Sequence, residues 1–244
     1  MYFVNWQRDV KIDNRNGQKV VLKSDKKSKT FHEYLLALSY TLLSVALGHP
    51  DPPPIVGERE KENEGDSMRR HLRKIGIRTP KLISLSKSLL VEEYIGRGDL
   101  YRAFLVLDDT HIISSLAAKA GIMTASLHID GKVFLDNKSQ NYLVADSYGS
   151  LYRTDLGFIQ RKTSVFSQSM DVATFLASTL DLSLLRYSSI ENGFHQGYSS
   201  IIKHGFPYLS IILRNIIAPG FASNHRLMLK NMFTDSKYRC ALID

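Results

Sequence analysis

The chain has 244 residues, 43% of them hydrophobic and 23% charged, an ordinary globular composition that excludes collagen-like, low-complexity and wholly disordered readings. Its one cysteine, Cys240, excludes a disulfide framework and any zinc site needing two thiolates. The net charge of +8 fits a polyanionic partner, whether nucleotide phosphates or nucleic acid.

The N-terminus turns polar within five residues and has no apolar stretch followed by a small-residue cleavage site, so it does not read as a secretion signal. VKID and KVVLK flank Asn14-Arg15-Asn16-Gly17, a hairpin signal. A long apolar helix follows from about Thr30 to Leu47. Its uncharged part, Tyr34 to Leu47, is about four residues short of a span, so we expect a buried helix and no stable membrane insertion in a cytoplasmic protein. This helix is expected to pack on the first half of the chain, with docking of a partner as the alternative. Gly48 and the HPDPPP run end it.

Residues 57–74 predict one charged helix with a thin apolar stripe, Met68, Leu72 and Ile75, that stops at Gly76. Glu64 lies on the inward stripe and Glu60 one turn earlier. KLISLS and LLVEEYI read as two strands, and Gly96 and Gly98 mark a joint. Beyond Asp99, DLYRAFLVL, HIISSLAAKAGI, MDVATFLASTLDL and the stretch from Gly197 to Ile217 read as helices, while KVFLD, NYLVAD and SLYRTDLGF read as short strands and turns. Strands first and helices second predict an α+β fold in two lobes, residues 1–95 and 96–244.

Four signals carry chemistry. Lys23 closes the apolar run Val20-Val21-Leu22, where a strand can fix a cation over phosphates. Glu64 supplies the carboxylate that such a long side chain needs to hold it in place. Asp136 and Asn141 stand five apart just before an apolar strand: the Asp suits a base for an attacking hydroxyl, the Asn amide oxygen a metal ligand, and Lys138 between them a cation for the migrating phosphoryl group. Asp155-Leu156-Gly157 offers a second metal-binding carboxylate beside a turn. Singly each is weak, and an edge lysine, a solvated helix and two polar turns are the plainer readings. Together, in this order, they point to phosphoryl transfer. The fourteen residues from Asn141 to Asp155 allow two short strands with both ligands at one end of the hairpin.

This order resembles the protein-kinase signature set. Among its members the chain looks most like compact atypical kinases: the KEOPS-complex kinase, RIO kinases and lipopolysaccharide (Kdo/WaaP-type) kinases. The resemblance covers about residues 18–180 and implies a bilobal fold, ATP and Mg²⁺ as cofactors, and transfer of the γ-phosphate to a hydroxyl of a protein or small molecule. It implies that the Glu93 carbonyl and Ile95 amide bond adenine, and that Asp171 in SMDVATFL anchors the loop around Asp136. The chain departs from the family at Phe134-Leu135-Asp136, which lacks the usual His, and in having no glycine-rich loop before Lys23. Asp171 follows Gly157 by only fourteen residues, too few for a full activation segment. The alternative reading is a pseudokinase or a module binding RNA or a protein complex. Arg69, Arg70, His71, Arg73 and Lys74, with a second basic cluster between His225 and Arg239, fit an RNA-associated partner, although aromatic residues are not interleaved for base stacking.

Overall fold

A computed structural model describes residues 8–15, 17–26, 29–55, 57–86, 88–145, 148–203 and 206–234. Asn16, Cys240 and the basic residues after Thr234 lie outside the described residues. The fold is α+β. The first hairpin forms as its turn signal predicts: β1 (Arg8–Arg15) runs antiparallel to β2 (Gln18–Asp25), and Gly17 takes the positive φ of 78° that favours glycine. With β3 (Leu82–Leu85) and β4 (Leu89–Glu93) these strands make an antiparallel sheet of order β1-β2-β4-β3. Lys23 lies inside β2, opposite Leu90 of β4, rather than at the strand's end.

The inserted apolar helix, α1 (Lys29–Ala46), turns its apolar face to the second half of the chain rather than the first, to which an ion pair at its start, Lys29 to Asp25 of β2 at 3.0 Å, ties it. Leu36, Tyr40, Leu43 and Leu47 fall at helical spacing and join a cluster with Val133, Leu135, Phe166, Met170 and Leu213, all from the second half. The Tyr40 ring meets Phe166 edge-on at 5.0 Å, and its hydroxyl donates to Asp51 at 2.5 Å. The strap after α1 is tied to the second half as well: Ile55 N donates to Gln160 Oε1 at 2.9 Å, and Lys162 Nζ reaches Asp51 at 2.5 Å.

The charged run 57–74 forms two helices, α2 (Glu58–Glu64) and α3 (Asp66–Lys74). Gly65 separates them in extended backbone (φ −76°, ψ 172°), which breaks the helical path directly after Glu64. Leu72 is fully buried, and Met68 and Ile75 pack against the same core, as the stripe predicts.

The second half is mainly helical. It comprises α4 (Leu100–Val106), α5 (Thr110–Ile129), α6 (Val165–Ala177), α7 (Leu184–Ile201), α8 (Ser210–Phe221) and α9 (His225–Thr234). The stretch from Gly197 to Ile217 is therefore two helices rather than one. Pro207, which has no N–H to donate, lies in the break. Two small antiparallel pairs complete the fold: β5 (Lys132–Val133) with β8 (Gln160–Arg161), and β6 (Tyr142–Val144) with β7 (Leu151–Arg153). α5 is long and apolar enough to cross a membrane, but 56% of its apolar window is buried inside the protein. It packs lengthwise on α7. Gly197 allows the backbones to touch, because a Cβ there would stand 2.0 Å from Ala118 O.

Overpacking of a core commonly costs about 1–3 kcal/mol. Because backbone blocks the new methyl, Gly197→Ala should lie at or above the upper end of that range, read as a lower urea midpoint at unchanged slope.

Candidate active site

The sheet, α2, α3 and the turn after β7 meet through a chain of alternating charges. Lys23 Nζ pairs with Glu92 Oε1 at 2.5 Å and also donates to Thr154 Oγ1. Glu92 Oε2 accepts from Arg69 at 3.0 Å, and Arg69 reaches Glu64 Oε2 at 3.2 Å. Glu64 Oε1 accepts from Arg8 at 2.8 Å, and Arg8 reaches Asp155 Oδ1 at 3.0 Å. The expected Lys23–Glu64 pair is thus replaced by Lys23–Glu92. The cause is geometric: Glu92 sits on β4 beside β2 with its side chain 1% exposed, whereas the break at Gly65 turns Glu64 toward Arg69 and Arg8. Glu64 keeps a role at the site, since its Oε1 also accepts the Leu156 N–H at 3.1 Å. Asn63 donates to the carbonyls of Gly157 and Ile159, both at 2.8 Å, so the end of α2 grips the Asp155-Leu156-Gly157 turn. The side chain of Glu60 lies outside the described residues.

The loop 134–141 is held from beneath. Asp171 on α6 accepts from the backbone N–H groups of Phe134 and Leu135, both at 2.6 Å, as the anchoring role implies. Asn137 Nδ2 donates to the Asp171 carbonyl at 3.1 Å. His128 Nε2 lies 3.1 Å from Asp171 Oδ2 and His128 Nδ1 lies 2.8 Å from the Tyr198 hydroxyl, so this histidine supports the loop through Asp171. Phe134 is buried under the Arg153 guanidinium, 4.4 Å from its ring, and Arg153 donates to the Asp136 carbonyl at 2.8 Å. Two non-glycine residues at this site have positive φ, Leu135 (61°) and Asp155 (60°). Such backbone costs about 1–3 kcal/mol per residue and persists where surroundings over-determine it, typically at functional sites.

Between the sheet and the helical half lies a cavity of about 560 Å³. Lys23, Asn141, Asp155 and Ile95 line it together, with Glu92 and Thr154. Asn141 and Asp155 flank the open end of the β6–β7 pair, and Thr154 N donates to Asn141 O at 3.0 Å. Asp136 adjoins this group: its Oδ2 accepts from Lys138 at 2.8 Å and from Asn141 Nδ2 at 3.1 Å. Glu93 is not on the cavity wall, and its side chain accepts the Lys81 N–H at 3.1 Å; its neighbours Glu92 and Tyr94 line the cavity. Burial pushes the Asp155 carboxyl up, but the positive charges of Arg8, Lys23, Lys138 and Arg153 outweigh it and hold the group well below the usual carboxylate range. Glu92 is likewise held down against burial by the charges of Lys23 and Arg69 and by hydrogen bonds from Lys23 and Thr154.

The donors suit Mg²⁺, a hard cation that takes one or two carboxylates plus phosphate oxygens and waters. The Asp155 carboxyl is held below the usual range by its cationic neighbours, and its side chain is 28% exposed at the cavity. The Asn141 amide nitrogen is committed to the Asp136 carbonyl at 2.8 Å, so only the amide oxygen could serve a cation. Among the described residues no group of three His, Cys, Asp or Glu is placed to hold a metal alone, so phosphate oxygens would have to complete the coordination.

Reading the sequence missed Arg8, Glu92, Arg69 and Thr154. The signal for Glu92 was a carboxylate directly after the apolar run Leu89-Leu90-Val91, and only the pairing of β4 with β2 separates it from its neighbour Glu93. Arg69 is fully buried in the charge chain and leaves the basic cluster on α3, of which Arg70, Arg73 and Lys74 are exposed. A scan against protein-family models finds no match, and a search of curated proteins finds no relative.

Removing one partner of a buried ion pair costs about 3–5 kcal/mol, because the other charge is left uncompensated. Lys23→Met should therefore destabilise strongly, and Lys23→Met with Glu92→Gln should recover most of the loss in urea titration. Glu92 is held below its usual 4.5, so its contribution to stability is complete above that pH and disappears as pH falls through the lower folded value. The wild-type urea midpoint should drop more steeply between pH 6 and 3 than that of Glu92→Gln.

Proposed function

We propose that the protein is an ATP- and Mg²⁺-dependent phosphotransferase of the atypical serine/threonine-kinase type, built as two lobes, that moves the γ-phosphate to a hydroxyl acceptor. The observation that carries this reading is the convergence of Lys23, Asn141 and Asp155 on one cavity, with Asp136 hydrogen-bonded at its edge. Adenine would lie against the apolar wall of Val21, Ile95 and Leu143, with the backbone of 93–95 as its polar contact. Lys23, fixed by Glu92, would hold phosphate oxygens. Mg²⁺ on Asn141 and Asp155 would supply charge neutralisation at the phosphates. Asp136 would accept the proton of the acceptor hydroxyl, and Lys138, 2.8 Å from it, would offset charge on the migrating group. Alignment and electrostatics would do most of the work.

A second reading, a nucleotide-free pseudokinase or binding module, is favoured by one contact. Arg8 occupies Asp155 at 3.0 Å, where a cation on the phosphates would sit. An RNA-associated or protein-complex partner would then use exposed basic residues such as Arg70, Arg73 and Lys74.

Asp136→Ala and Asp155→Ala should each lower phosphoryl transfer from radiolabelled ATP by about 10²–10⁴-fold. Unchanged transfer in both would eliminate the mechanism. Mg-ATP at ten to a hundred times Kd should stabilise the wild type by about 1.4–2.7 kcal/mol in a thermal-shift assay. No shift at millimolar Mg-ATP in either the wild type or Arg8→Ala would leave the binding module standing.

A further inference from the structure

Asp136 stands between two cavities. On one side Asn141, its hydrogen-bond partner, lines the large cleft. On the other, Asp136 itself lines a second, partly open cavity of about 210 Å³ between α1, α6, α8, Pro54 and Leu135. The walls of this second cavity are Leu35, Leu36, Leu43, Met170, Ile217 and Phe221. Among its polar lining residues, the Tyr40 hydroxyl is committed to Asp51 and the Thr174 hydroxyl to the Met170 carbonyl. Asp136 is the one charged residue on its wall among the described residues. A mainly apolar cavity with an aspartate on its wall suits an apolar body that brings one polar group to that residue.

We infer that the acceptor is an apolar alcohol, a hydroxyl at the end of a long hydrocarbon chain, held in this cavity with its oxygen at Asp136. The inference rests on the phosphotransferase reading. The cavity is smaller than the roughly 300–1,000 Å³ usual for a small-molecule site, so it holds only the part of the chain nearest the hydroxyl. The remainder has a path outward. Leu35 lines the cavity and is 39% exposed, and Leu38, Leu42 and Val45 continue an exposed apolar stripe along α1. A peptide or sugar acceptor would bring polar groups into this cavity and leave them without partners. In the reaction the alcohol proton passes to Asp136 and the alcohol oxygen bonds the γ-phosphorus. The bond from that phosphorus to the β,γ-bridging oxygen breaks with its electron pair on ADP. The products are the alkyl phosphate, ADP and a proton released to water.

The test supplies the full-length protein with radiolabelled Mg-ATP and, separately, 1-butanol, 1-hexanol, 1-octanol, glycerol and a serine-containing peptide. Thermal shift with Mg-ATP is run in parallel. Labelled alkyl phosphate should form, with kcat/KM rising about two- to fourfold per methylene as apolar surface is buried. Ser39→Trp, which places a bulky ring at the cavity, should lower octanol use at least tenfold while keeping its Mg-ATP shift, which shows that the variant folds. A flat response across the alcohols, better labelling of glycerol or peptide, or full octanol activity in Ser39→Trp would overturn the inference. If the Mg-ATP shift persists with such a result, the phosphotransferase reading stands; if no shift occurs, both fall.

Discussion

The geometry of the candidate site depends on one chain of buried charges. Lys23, Glu92, Arg69, Glu64, Arg8 and Asp155 alternate in sign, and each touches the next. They come from β2, β4, α3, α2, β1 and the turn after β7, so the chain crosses from the sheet to the helical half. Desolvating so many charges offsets much of their mutual attraction, and apolar residues of equal volume could pack as stably. What an apolar cluster could not supply is direction. A lysine held by a carboxylate and a hydroxyl, with a glutamate bonded to the Leu156 N–H, sets where the cleft's polar groups point.

The other fixed point is Asp171. One carboxylate takes two backbone N–H groups and faces His128, and its own carbonyl takes Asn137. These bonds hold Leu135 at a φ of 61°, which sets the backbone entering Asp136. Strain at Leu135 and Asp155 is thus matched by hydrogen bonds from different elements at each place. The loop and the turn are two separately clamped bodies, and Asn141 and Thr154 join them.

What was legible in the sequence was local. The hairpin at Gly17, the helix stop at Gly76 and the spacing that puts Asn141 and Asp155 at one end of β6–β7 follow from turn chemistry and chain length. The anchoring Asp171 came from resemblance. What was not legible depends on distant partners. Glu92 lies 69 positions from Lys23 and Asp171 lies 43 from His128, and no periodicity encodes either pair. The placement of α1 was missed for the same reason: its stripe said that one face is buried but not against what. The break at Gly65 was a single-residue feature inside an otherwise continuous helical pattern, and the break around Pro207 was a short connection between two apolar runs.

The strap of residues 49–55 limits how the molecule can breathe. On one flank the two halves are joined through residues 94–98, where Arg97 N bonds the Val144 carbonyl and Val144 N bonds the Gly98 carbonyl. On the other flank the strap is fastened by Gln160 and Lys162 before the backbone returns to α2. A mouth stitched at both corners does not gape. The two seams oppose separation of the sheet from the helical half.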